Sequence, residues 1–138
     1  MRILIYGFGR MGLTHYAILN KLIINKTFYI VEPNNFLRLI IKNNLNAIFI
    51  KSDKDLKTPF DLTLITTPPF MHKELLSNCI NRGDRKIFIE KPFGGHSNIK
   101  EEKFHKNIFV GYVLRFNPCI NWLKNNINPD EILSIDAK

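Results

Sequence analysis

The sequence predicts an α/β protein built on a doubly wound, mostly parallel sheet of six strands. Three observations carry that expectation. Short apolar runs alternate with stretches of helical spacing, which is the order that parallel strands joined by crossover helices produce. The runs are apolar nearly throughout rather than at every second residue, as strands covered on both faces require. The first run, Arg2–Tyr6, opens directly into the glycine-rich turn Gly7-Phe8-Gly9-Arg10-Met11-Gly12.

Taken in order, Arg2–Tyr6 reads as a strand and residues 11–24 as a helix with Met11, Ala17, Ile18 and Leu22 at helical spacing. A second strand at 28–31 and a second helix at 36–42 follow, then a third strand at Ala47–Ile50. The polar stretch 51–59 reads as a loop or a single turn. Leu62–Ile65 is the fourth strand, stopped by Thr66-Thr67-Pro68-Pro69. Residues 70–81 are helical and end at Arg82-Gly83, a glycine being the common residue just past a helix end. The fifth strand, 86–89, stops at Glu90-Lys91-Pro92, and the sixth runs over 108–113 after a short helix within 98–105. Residues 117–126 look helical, and 131–137 form an extra C-terminal strand-like segment in which apolar Ile132, Leu133 and Ile135 flank polar Ser134 and Asp136.

Composition fits one such domain. The chain has 138 residues, 45% hydrophobic and 23% charged, which supports a core and excludes disorder as the main state. No apolar run approaches the ~20 residues that span a bilayer, and the opening run is too short for a signal peptide, so a cytoplasmic location and no membrane partner are expected. The net charge of +8 comes from lysines scattered along the chain, without a block of like charge. No nucleic-acid partner is therefore expected. Cys79 and Cys119 form no C-x-x-C pair and show no zinc spacing with histidine, so both read as reduced thiols and no metal site is expected.

The chemistry is concentrated at the first turn. Gly7, Gly9 and Gly12 make G-x-G-x-x-G between a strand and a helix, with Phe8, Arg10 and Met11 between them. In that context the first glycine allows a tight turn, the second lets a pyrophosphate reach backbone N–H groups, and the third lets the helix pack closely. The helix N-terminus adds partial positive charge for the phosphates. The pattern then calls for an acid about 20 residues on, at the end of the second strand, and Glu32 stands there after Tyr29-Ile30-Val31. A carboxylate suits ribose hydroxyls and repels a 2′-phosphate, so NAD is expected over NADP. Arg38, the nearby guanidinium, is expected more than a helical turn away.

Further segments sharpen this. Ile65-Thr66-Thr67-Pro68-Pro69-Phe70-Met71-His72, Glu90-Lys91-Pro92, and Gly111-Tyr112-Val113-Leu114-Arg115-Phe116-Asn117-Pro118 follow in this order, and His15 stands three residues after Gly12. Together with the closing Ile132-Leu133-Ser134-Ile135 they resemble the N-terminal, Rossmann-type dinucleotide domain of the Gfo/Idh/MocA oxidoreductases. The resemblance implies that Thr66, Thr67, Pro68 and His72 pass the nicotinamide side of the cofactor, and that Glu90 orients the cofactor or Lys91. It implies that Lys91 polarises the substrate and handles its proton, and that the Lys91–Pro92 peptide is cis. It places Tyr112 and Arg115 at the substrate mouth. The implied activity is hydride transfer at a secondary alcohol carbon of a sugar, polyol or nucleotide sugar.

The family continues for about another domain of 150–200 residues, with an aspartate–histidine pair that has no counterpart in these residues. Residues 1–128 are accordingly expected to be the dinucleotide domain and 129–138 the start of the substrate and dimerisation domain. Two copies are expected to pair through the C-terminal strand, or that segment to be poorly ordered, and the 138 residues alone to turn over feebly or not at all. The alternatives are a nucleotide-binding module or partner subunit without turnover, and a basic nucleic-acid binder on the same scaffold.

Overall fold

The computed structural model describes residues 1–43, 45–93, 106–128, 130 and 134. Six strands, β1 (Arg2–Tyr6), β2 (Thr27–Val31), β3 (Ala47–Ile50), β4 (Leu62–Ile65), β5 (Ile87–Ile89) and β6 (Ile108–Val110), form one sheet in the order β3-β2-β1-β4-β5-β6. Every pairing is parallel. β1 is central: Ile5 is level with Ile30 of β2 and with Leu64 of β4.

The apolar runs make sense against two cores. Leu4 and Tyr6 point to one face, with Leu75, Leu76 and Cys79 of the helix α3 (His72–Arg82). Ile3 and Ile5 point to the other, with Phe8, Phe28 and Tyr16 of the helix α1 (Arg10–Leu22). Successive residues of a strand face opposite ways, so a strand covered twice must be apolar at every position.

The inward face of α1 differs from the expected one. Met11, Ala17, Ile18 and Leu22 are exposed, Leu22 at 71%. Gly12 and Tyr16 are buried, and Leu19 and Ile23 pack against that core. A Cβ on Gly12 would overlap the Gly7 carbonyl. The helix therefore approaches the sheet through Gly12, and residues 12, 16, 19 and 23 turn inward at helical spacing.

The helix α2 (Asn35–Lys42) is capped by the Asn34 side chain, which accepts from the Phe36 and Leu37 N–H groups at 3.0 and 3.1 Å. A 3₁₀ turn at Asp53–Asp55 fills the stretch read as a loop or single turn. Another, Pro69–Met71, precedes α3, which ends on Gly83 at φ +84°. β6 stops at Val110 rather than at 113; Gly111 and Tyr112 lead into a 3₁₀ turn at Val113–Phe116 and then α4 (Pro118–Asn126). The short helix expected within 98–105, and the strand expected at 131–137 apart from Ser134, lie outside the described residues. Cys79 is buried and Cys119 exposed, both free. Among the described residues no helix is long and apolar enough to cross a membrane, and no cluster of His, Cys, Asp and Glu could hold a metal ion.

Candidate cofactor site

The strand order reverses between β1 and β4, and in open α/β sheets ligands bind outside the carboxyl ends of the strands at that switch point. The glycine loop sits there. Gly7, at φ +78°, donates its N–H to the Val31 carbonyl at 2.9 Å, and a Cβ on it would press on the Thr66 carbonyl and Thr67 Cγ2. The Phe8 side chain is buried edge-on to Tyr16 with ring centroids 5.7 Å apart, which anchors the loop, while the backbone at Gly9 faces open space. Arg10 and Met11 are exposed in the first turn of α1.

Glu32 is only 7% exposed. Its carboxylate accepts from the Phe8 N–H at 2.8 Å and the Asn34 N–H at 2.9 Å, so it ties the glycine loop to the end of β2. Arg38 is not remote: its Nη1 donates to the Glu32 carbonyl at 3.4 Å and its Nη2 to Asn35 Oδ1 at 2.7 Å. Arg38 stands in the first turn of α2, which begins three residues past Glu32, so its long side chain reaches back to the Glu32 carbonyl.

Thr66 and Thr67 have different roles. The Thr66 hydroxyl faces the Tyr6 and Gly7 carbonyls at 2.9 and 2.7 Å, so it braces the loop. The Thr67 hydroxyl is buried, without a hydrogen-bond partner among the described residues. His72 is 2% exposed and spans two turns, its Nε2 lying 2.8 Å from the Thr67 carbonyl and its Nδ1 3.3 Å from the Pro92 carbonyl. His72 thus joins the turn after β4 to the turn after β5, where the Lys91–Pro92 peptide is cis.

Glu90, 8% exposed, accepts at Oε1 from His15 Nε2 at 2.8 Å, and its Oε2 lies 3.3 Å from the Lys91 N–H. The His15 ring also stands edge-on to Phe88 at 5.0 Å. This pair ties α1 to the end of β5. Lys91 itself is exposed, at the carboxyl edge of the sheet.

A crevice of about 260 Å³ gathers Gly7, Glu32, Thr67 and Pro68 with Tyr6, Lys51 and Asp53. Sequence reading missed the last three. Lys51 and Asp53 lie just past the carboxyl end of β3, so the strand-end rule that singled out Glu32 could have found them. Tyr112 and Arg115 belong elsewhere, to an apolar cleft of about 460 Å³ along β6 with Phe88, Val110 and Phe116. The Tyr112 hydroxyl donates to the Phe93 carbonyl at 2.9 Å, and the Arg115 guanidinium lies 5.5 Å from the Tyr112 ring centre.

Comparison with known proteins decides the family. The family model GFO_IDH_MocA, described as an oxidoreductase family with an NAD-binding Rossmann fold, matches residues 1–107. The chain belongs to this family. No curated protein sequence matches it. Among solved structures, a myo-inositol dehydrogenase from Corynebacterium glutamicum is 23% identical with a TM-score of 0.72, covering 91% of this chain and 41% of its own. The UDP-N-acetylglucosamine 3-dehydrogenase GnnA from Acidithiobacillus ferrooxidans is 20% identical with a TM-score of 0.70, covering 91% and 42%. The WlbA dehydrogenase from Bordetella pertussis, in complex with NADH and UDP-GlcNAcA, is 19% identical with a TM-score of 0.59, covering 67% and 28%. These likenesses concern the Gfo/Idh/MocA fold, and the chain spans less than half the length of each neighbour.

Proposed function

We propose that this Gfo/Idh/MocA chain forms the cofactor-binding part of an NAD-dependent dehydrogenase of sugars, polyols or nucleotide sugars. The observation that carries the reading is the buried Glu32 carboxylate held against the Phe8 N–H of the glycine loop. That contact sets a ribose acceptor and the phosphate loop side by side in one rigid unit. The residues fit a dinucleotide. Open space over Gly9 leaves room for a pyrophosphate, and the unpartnered Thr67 hydroxyl offers a hydrogen bond inside the crevice. Bound NAD supplies the hydride acceptor.

The chain's own residues have separable roles in this proposal. Glu32 takes ribose hydroxyls on its remaining lone pairs, and its charge opposes a 2′-phosphate, which favours NAD. Arg38 does not reverse that preference, because Asn35 and the Glu32 carbonyl engage it. Pro68, Thr67 and His72 shape the nicotinamide side. The His15–Glu90 pair orients the turn from which Lys91 reaches a substrate hydroxyl and manages its proton. Tyr112 and Arg115 stand by the second cleft as substrate contacts. Sugar, inositol and nucleotide-sugar substrates are suggested by the neighbours' own activities.

The test pairs binding with turnover over a panel of sugars, polyols and nucleotide sugars. Saturable NADH binding, with any NAD reduction on the panel lost in Lys91→Ala, supports the reading. A folded chain that binds neither NADH nor NADPH would refute the reading, whereas turnover unchanged in Lys91→Ala would remove Lys91 from the chemistry. Pairing of two copies through residues 131–137 is proposed alongside, and a monomer by light scattering would sink it.

A further inference from the structure

The crevice beside Glu32 contains a second carboxylate with a different environment. Asp53 follows β3, yet its Oδ2 lies 3.4 Å from the Tyr6 hydroxyl of β1 and accepts from the Asn78 amide of α3 at 3.1 Å. It therefore reaches past β2 to the face that α3 covers. Tyr6 is itself held, because Arg82 Nη1 donates to its oxygen at 3.0 Å and Asp84 fixes Arg82 through two contacts of 2.9 and 2.6 Å. Asp53 is thus the end of a braced chain of polar groups. Its Oδ1 makes no hydrogen bond among the described residues, whereas both oxygens of Glu32 are engaged.

Val31, Pro33, Pro68, Met71 and Leu75 make its walls apolar, and besides Glu32, Tyr6 and Asp53 its polar side chains are Thr67 and the exposed Lys51. The volume, about 260 Å³, is below the roughly 300–1,000 Å³ of pockets that take a whole ligand, so it suits one part of a dinucleotide. A flat ring between such walls needs polar recognition at its edge, and the group there that is braced from both β1 and α3 is the Asp53 carboxylate, an acceptor.

We propose that Asp53 reads the base of the bound dinucleotide, accepting a hydrogen bond from the exocyclic amine of adenine and disfavouring a base that carries a carbonyl at that position. This rests on the reading of the crevice as the adenosine side of the cofactor site. A carbonyl there would set an acceptor against a carboxylate, and a base held by Glu32 at its ribose cannot slide to present another edge without losing that contact. A site built around a hydrogen bond discriminates strongly, since the mismatched analogue leaves a polar group unpaired.

The experiment measures binding by nicotinamide fluorescence for NADH and for reduced nicotinamide hypoxanthine dinucleotide, which replaces the adenine amine with a carbonyl. The parent chain should prefer NADH by about ten-fold or more. Asp53→Asn, whose amide can turn either its oxygen or its nitrogen to the base, should bring the two within about two-fold. Asn78→Ala, which removes the shorter of the two contacts on Oδ2 and leaves the crevice groups in place, should lower the preference part of the way. Equal binding of both dinucleotides by the parent, or a full preference kept by folded Asp53→Asn, overturns the role of Asp53 and leaves the cofactor site standing. Failure of a folded parent chain to bind either dinucleotide overturns both.

Discussion

Asp84 is the residue whose removal the structure most clearly penalises. Its side chain is fully buried and that of Arg82 is 5% exposed, with the closest approach between them 2.6 Å. Asp84 Oδ1 also accepts from the Phe60 N–H at 3.0 Å and Oδ2 from the Thr63 hydroxyl at 2.6 Å. Asp84→Ala removes all of these and leaves the guanidinium buried beside Phe60 and Tyr6 without its counter-charge. Breaking a buried pair from one side costs about 3–5 kcal/mol, a large part of the ~5–15 kcal/mol that holds a domain together. With urea slopes of about 1–3 kcal/mol per molar, the unfolding midpoint should fall by roughly 2 M at unchanged slope. Because replacing both members of such a pair by apolar residues is often near neutral, the double variant Arg82→Leu/Asp84→Leu should be more stable than Asp84→Ala. A loss below about 1 kcal/mol for Asp84→Ala, in the range of an exposed pair, would refute the reasoning.

Other expectations follow from single positions. Gly12→Ala puts a Cβ into the Gly7 carbonyl, so α1 must retreat from the loop; NADH binding should weaken by about ten-fold or more, which is 1.4 kcal/mol, as read by fluorescence titration. Gly83→Ala should cost about 1–2 kcal/mol from backbone conformation alone, since φ is +84° while the nearest atom to the new Cβ, Pro59 Cγ, lies at an ordinary 3.7 Å. Burial, with Asp84 adding, pushes the Cys79 thiol above its ordinary 9.0, and burial, with Cys79 adding, pushes the Tyr6 hydroxyl above 10.0. The unfolded chain then gives up these protons first as pH rises, so stability is intact below about pH 9 and declines above it. Urea midpoints that match at neutral and strongly alkaline pH would contradict this.

Much of the fold was legible because its signals are local. Continuous apolar runs mark strands buried on both faces, and Ile3-Leu4-Ile5 divide between two cores as that implies. Gly7, Gly12 and Glu32 were legible because a turn, a close approach and a strand end each demand a residue type at a fixed spacing. The inward face of α1 was not, because the contact of Gly12 with the loop decides it and Met11, Ile18 and Leu22 have the wrong phase. The His15–Glu90 and Arg82–Asp84–Tyr6–Asp53 contacts were illegible for another reason. They join residues up to 76 positions apart, brought together only by the strand order. The contacts of Arg38 with the Glu32 carbonyl and Asn35 were illegible because they depend on how the capped start of α2 follows β2, which no residue pattern marks. The separation of Tyr112 and Arg115 from the Glu32 crevice depends on where β6 ends, and no local signal marks Val110 as its last residue.

The most direct test of the account is a fluorescence titration of the chain with NADH and with NADPH, repeated on Glu32→Ala. The account predicts saturable binding of NADH, tighter than NADPH by about ten-fold or more, which corresponds to 1.4 kcal/mol. It also predicts that Glu32→Ala weakens NADH binding and erases the preference. A folded chain that binds neither dinucleotide, or one that binds NADPH more tightly than NADH, would contradict it.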